Sequence, residues 1–100
     1  MNLYRAVSEP EFQQLIETSL FEITSQSVEG KYFAETWQDA RQWGDLLFGA
    51  GQYRVIAVEL PDDLCAQFHR WERLDRIGPA RYAEIEQLRH VRVSIREVEQ

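Results

Sequence analysis

Apolar residues recur along the chain with two different periods, and the changes of period mark its elements. Leu3-Tyr4-Arg5-Ala6-Val7 is short, rich in strand formers, and stops at Ser8-Glu9-Pro10-Glu11. There Ser8 and Glu11 stand at capping-box spacing and Pro10 falls in a first helical turn, so a strand is expected to feed directly into a helix. In that helix Phe12, Leu15 and Ile16 recur at i, i+3 and i+4 as one buried stripe, while Gln13, Gln14 and Glu17 face water; its expected end is near Thr18. The small polar run from Thr24 to Gly30 has the composition of an exposed loop.

Lys31-Tyr32-Phe33-Ala34-Glu35 predicts a second strand, and Thr36 with Asp39 three residues later predicts the start of a second helix. That helix carries Trp37, Ala40, Trp43, Gly44 and Leu47 at helical spacing and stops at Gly49-Ala50-Gly51. Residues 53–60 are apolar on both faces and predict a strand deep in a sheet, closed by Pro61. Asp62 or Asp63 is expected to cap a short third helix through Leu64, Cys65 and Phe68, and residues 75–79 read as a turn. Residues 81–86 and 90–96 predict two more strands, the second turning Val91, Val93 and Ile95 inward and Arg92, Ser94 and Arg96 outward.

About five or six strands with two main helices and a third short one describe an α+β domain. A length of 100 residues, with no repeat, low-complexity run or linker, makes residues 1–100 a single domain. Strand and helix do not alternate regularly, and no glycine-rich turn follows the first strand, which argues against a Rossmann dinucleotide site.

Composition narrows the chemistry. Seventeen acidic against eleven basic residues give a net charge of −6, a field that repels phosphate backbones. The arginines between Arg70 and Arg96 are interleaved with acidic residues and read as a solvated mixed surface. Cys65 is the only cysteine, which excludes a disulfide scaffold and suits a reducing cytosol. No apolar run is long enough to span a bilayer and no signal segment precedes the first strand, so a cytoplasmic site of action without membrane contact is expected. One Cys with only His69 and His90 offers no zinc-ligand spacing, and no metal is expected. Core packing of at least one of Trp37 and Trp43 is favoured over a cofactor role.

Polar residues on strands are more informative. Period-two alternation over residues 81–86 places Tyr82, Glu84 and Glu86 on one face. Two carboxylates so placed resist joint ionisation unless water, an arginine or a substrate offsets them. They belong either to a solvated ion-pair set with Arg5, Arg54 or Arg92, or to a functional site.

Three stretches together are similar to a known family: Leu3-Tyr4-Arg5-Ala6-Val7-Ser8; Gly30-Lys31-Tyr32-Phe33-Ala34-Glu35-Thr36 with Asp39-Ala40 and Trp43-Gly44; and residues 74–84, which contain Gly78-Pro79-Ala80-Arg81-Tyr82-Ala83-Glu84. In order and separation they resemble the ADP-ribosyltransferase-fold toxin domains found at the C-termini of Rhs and other bacterial polymorphic toxins. The resemblance implies a small split β-sandwich holding NAD as substrate in a cleft between two sheets. It implies that Arg5 contacts the NAD phosphate and ribose, that Tyr32 or Phe33 stacks on nicotinamide, with Tyr82 near the same site, and that Thr36 is the nearest hydroxyl. The Ser-Thr-Ser of the arginine-serine-glutamate class is missing here. Glu84, or Glu86 two residues later, would be the catalytic carboxylate that stabilises an oxocarbenium-like state as the N-glycosidic bond of NAD breaks. ADP-ribose would pass to an unknown acceptor, whether protein, RNA or small molecule, and a cognate immunity protein or antitoxin is an implied partner. The rival readings are an inactive binding module of the same fold and a small antitoxin or immunity-type protein, for which the acidic surface would suit a basic toxin.

Overall fold

The computed structural model describes residues 1–21, 30–89 and 91–98, so the polar loop at residues 24–29 and His90 lie outside the described residues. Strand β1 (Asn2–Val7) enters helix α1 (Glu9–Thr18) through Ser8, whose hydroxyl accepts the Glu11 N–H at 3.4 Å. The buried stripe of α1 is narrower than its spacing predicts. Phe12 and Leu15 are buried, whereas Ile16, a further 100° round the helix, is 54% exposed. Strand β2 (Gly30–Ala34) leads to helix α2 (Trp37–Phe48), which starts where the Thr36 hydroxyl accepts the Asp39 N–H at 3.2 Å.

Strand β3 (Arg54–Glu59) is internal, and four successive residues from Val55 to Val58 are buried. Helix α3 (Asp62–Cys65) begins at Pro61 with no side-chain cap; Asp62 pairs with the terminal amine at 2.7 Å and does not take the capping role expected for it or for Asp63. Strand β4 (His69–Leu74) is not predicted by the sequence pattern, because charge replaces alternation in it. It is an edge strand, and His69, Arg70, Glu72 and Arg73 are exposed, as suits an edge that must not recruit another strand. A two-residue turn follows, with Asp75 and Arg76 both left-handed at φ 56° and 63° and the Ile77 N–H donating to Leu74 O at 3.0 Å.

Strand β5 (Gly78–Glu84) ends two residues earlier than expected, and helix α4 (Ile85–Leu88) occupies the next turn. Gln87 Oε1 accepts the Glu84 N–H at 2.8 Å, and the helical turn carries Leu88 into the core, 2% exposed. Glu86 is therefore helical, and the shared strand face of Glu84 and Glu86 does not exist. Strand β6 (Ser94–Glu97) is shorter than residues 90–96, yet its expected inward set holds: Val93 is buried, with Val91 and Ile95 packed against the same core.

The fold is α+β: among the described residues six strands pair antiparallel in the order β4-β5-β2-β1-β3-β6, with helices on both faces. All six belong to one hydrogen-bonded sheet, but the β1–β2 junction is a seam. Only Tyr4 and Ala34 are in register there, against five pairs between β2 and β5 and six between β1 and β3. The sheet thus consists of two three-stranded halves, β4-β5-β2 and β1-β3-β6, held at a narrow join.

Strand alternation assigns the two faces. Leu3, Val7, Phe33, Ile56, Val58 and Ala83 join Phe12 and Leu15 of α1, Cys65 of α3 and Leu88 of α4 in the larger core. On the other face Ala34 and Val55 pack with Ala40 of α2, with Tyr4, Trp37, Trp43 and Tyr53 against them. Among the described residues no helix is long and apolar enough to cross a membrane.

Candidate functional site

The seam opens beneath α2 into a cavity of about 320 Å³, within the size range of small-molecule sites. Its floor is made of small residues: Ala6 of β1, Ala34 of β2 and Ala80 of β5, with Ala40 of α2 facing them. Alanine is disfavoured in strands and leaves volume unfilled where a branched residue would close the core. Tyr4, Tyr32, Trp43, Leu47 and Leu74 supply the walls, and the charged side chains among the described lining residues are Arg5 at the seam and Asp75 in the β4–β5 turn. The Trp43 indole N–H donates to Asp75 Oδ2 at 3.0 Å, tying α2 to the hairpin. One turn earlier on α2, Asp39 lies so close to Gly78 that a β-carbon there would collide with its carboxylate. The hairpin is therefore held against α2 at two points.

Arg5 is expected from the resemblance to meet a phosphate, and the structure commits it elsewhere. It alternates with Leu3 and Val7 on the α1 face, where Nε and Nη2 hold both oxygens of Glu11 at 2.8 and 3.1 Å. Nη1 donates to Tyr32 O at 3.0 Å, spanning the seam where the β1–β2 ladder lapses. Lys31 Nζ stands 3.9 Å from Glu11. Burial pushes the Glu11 carboxyl up, but the Arg5 hydrogen bonds and the charges of Arg5 and Lys31 outweigh it and leave the group below its usual value. Arg5 is thus the pin of the seam.

Of the remaining expected site residues, Tyr32 and Phe33 line the seam cavity with Arg5, and Thr36, Tyr82, Glu84 and Glu86 do not. Glu84 follows Ala83 of the larger core and projects from the opposite face to Arg5. With Tyr82, Ile85 and Glu86 it borders a separate hollow of about 380 Å³, which shares no lining residue with the seam cavity among the described residues. Glu86 is 70% exposed and pairs with Arg89 at 3.1 Å. Tyr32 and Tyr82 touch, with ring centroids 4.7 Å apart, and form the wall between the two spaces. Tyr82 also lies over Gly30, where a β-carbon would be 2.7 Å from its ring and hydroxyl. Phe33 borders the cavity, but its ring is 1% exposed and packs edge-on to Phe21 and parallel to Phe68. The Thr36 hydroxyl is used as a helix cap.

Tyr32, 48% exposed and with its ring centroid 5.8 Å from that of Trp71, lines the cavity together with Arg5 and Phe33. Trp43 and Asp75 were missed as a pair; the sequence signal that could have found the site is the run of alanines at facing positions inside strands. A second charged cluster is structural. Glu35 binds Arg70 at 2.6 Å and Arg81 at 2.9 Å, which lowers its carboxyl through the Arg70 hydrogen bond first, and Arg81 continues to Cys65 O. Burial pushes the Cys65 thiol up, the opposite of what a nucleophile needs. Among the described residues no group of three or more His, Cys, Asp or Glu is placed to hold a metal ion. Comparisons with protein-family models, with curated proteins and with solved structures found no match to this chain.

Proposed function

We propose that the chain is a ligand-binding domain that takes the nicotinamide ring of an NAD-type dinucleotide into the seam cavity and leaves its glycosidic bond intact. The observation that carries this reading is the alanine-floored space between two half-sheets, walled by Tyr4, Tyr32 and Trp43. Its volume and aromatic lining suit one flat ring, which would gain from stacking as well as from leaving water. The pyrophosphate would remain outside the cavity, and the hairpin that carries Asp75 also carries the exposed Arg73 and Arg76. NAD is favoured as the ligand by the resemblance, which implies a cleft between two sheets; here the two halves belong to one sheet and the space lies between its seam and α2.

Binding is favoured over transfer because the groups needed for transfer are apart. A carboxylate must reach the ribose as nicotinamide leaves. Glu84 and Glu86 border a different space, and Arg5 is occupied by Glu11. The test is calorimetric titration with NAD of the wild type and of Ala80→Leu, whose added side chain would occupy the cavity. The expected result is binding by the wild type, at least about tenfold weakened in Ala80→Leu at unchanged or raised melting temperature, with no nicotinamide released on long incubation. Equal binding by both proteins, or none by either, overturns the site. Nicotinamide release that disappears in Glu84→Gln would restore the transferase reading.

A further inference from the structure

The charge balance of the cavity has a chemical consequence. Arg5, the cation in its lining, is held on its Nε–Nη2 edge by both oxygens of Glu11. Among the described lining residues Asp75 has no such partner charge: its Oδ2 accepts a neutral indole N–H from Trp43. The cavity therefore sets the Asp75 carboxylate beside aromatic faces. Cations are drawn to the electron-rich faces of Trp and Tyr, most strongly where water is displaced.

We infer that the seam cavity selects a planar aromatic cation, with Asp75 and the Trp43 ring as the selecting groups, so that an oxidised pyridinium ring is bound in preference to its reduced, uncharged dihydropyridine form. This inference rests on the proposed nicotinamide site and adds its specificity: the domain would report the redox state of a dinucleotide by which form it holds. No electron is transferred in this role. The two forms are nearly the same size and carry the same pyrophosphate and sugars, so the difference in affinity isolates the ring charge.

The experiment measures dissociation constants for NAD and NADH, and separately for 1-methylnicotinamide and neutral nicotinamide, on the wild-type chain and on Asp75→Asn. Asn retains an oxygen to accept the Trp43 N–H, so the tie between α2 and the hairpin survives while the charge goes. The expected result is about tenfold tighter binding of the cation in each pair, falling to about threefold or less in Asp75→Asn through weaker binding of the cation alone. Equal affinity for the two forms, with Ala80→Leu still weakening both, overturns the selectivity and leaves the binding site standing. Absence of binding by all four compounds overturns the site itself. A preference that persists undiminished in Asp75→Asn overturns the role of Asp75.

Discussion

The seam gives a quantitative expectation about Arg5. Across β1–β2 a single registered pair, Tyr4 with Ala34, is supplemented by the Arg5 contacts to Glu11 and Tyr32 O. Arg5→Met keeps most of the apolar stem but leaves Glu11, 19% exposed, without its bidentate partner, and Tyr32 O without that donor. Breaking a fully buried ion pair costs about 3–5 kcal/mol and an exposed one about 0–1 kcal/mol. For side chains 18% and 19% exposed, a cost of about 2–3 kcal/mol is expected, between those limits. In a domain of this size that lowers the melting temperature by roughly 10–20 °C. Glu11→Gln and the double variant complete a mutant cycle in urea, with an expected coupling of about 1.5–2 kcal/mol. The exposed pair of Arg54 with Glu9, side chains 35% and 55% accessible, serves as the comparison and should couple far more weakly. A coupling for Arg5 and Glu11 no larger than the ~0.5 kcal/mol scatter of independent sites would refute the pin. Arg5 would then be available for a ligand.

Two further outcomes follow from the same contacts. Gly78→Ala drives a β-carbon into the Asp39 carboxylate, which should destabilise the domain by about 1–3 kcal/mol; a second change, Asp39→Ala, should recover most of the loss in the same denaturant series. Glu11 and Glu35 both titrate below the ordinary 4.5 in the folded protein, so in the unfolded chain they take up protons at higher pH than in the fold. Their contribution to stability is accordingly complete above 4.5 and is lost as pH falls through the lower folded values. Urea midpoints measured through the acid range should drop there, and Glu11→Gln should drop less steeply than the wild type.

What could be read from the sequence depended on where local chemistry agreed with tertiary packing. Ser8 with Glu11 and Thr36 with Asp39 announced α1 and α2, because a cap and the first helical turn are local events. The continuous apolar run in β3 announced an internal strand for the same reason: burial on both faces leaves little room for polar residues. β4 was illegible because an edge strand selected for charge carries no hydrophobic period. The Glu84-Ile85-Glu86 run alternated like a strand, and only the long-range burial of Leu88 turned it into a helix. The site was half legible. Arg5 and Tyr32 could be singled out, but the Trp43–Asp75 contact joins residues 32 positions apart, and the space they bound is made by what the alanines lack.

The Trp43 indole N–H reports most directly on whether the seam cavity is where a ligand enters, because it sits in the wall and its acceptor is Asp75. In ¹⁵N-labelled protein titrated with NAD, that resonance and the amides of Ala34 and Ala80 are expected to shift together and to saturate, while the amides of Glu84 and Ile85 remain still. Saturating shifts at Glu84 and Ile85 with Trp43 unmoved would place the ligand in the other hollow and contradict the account.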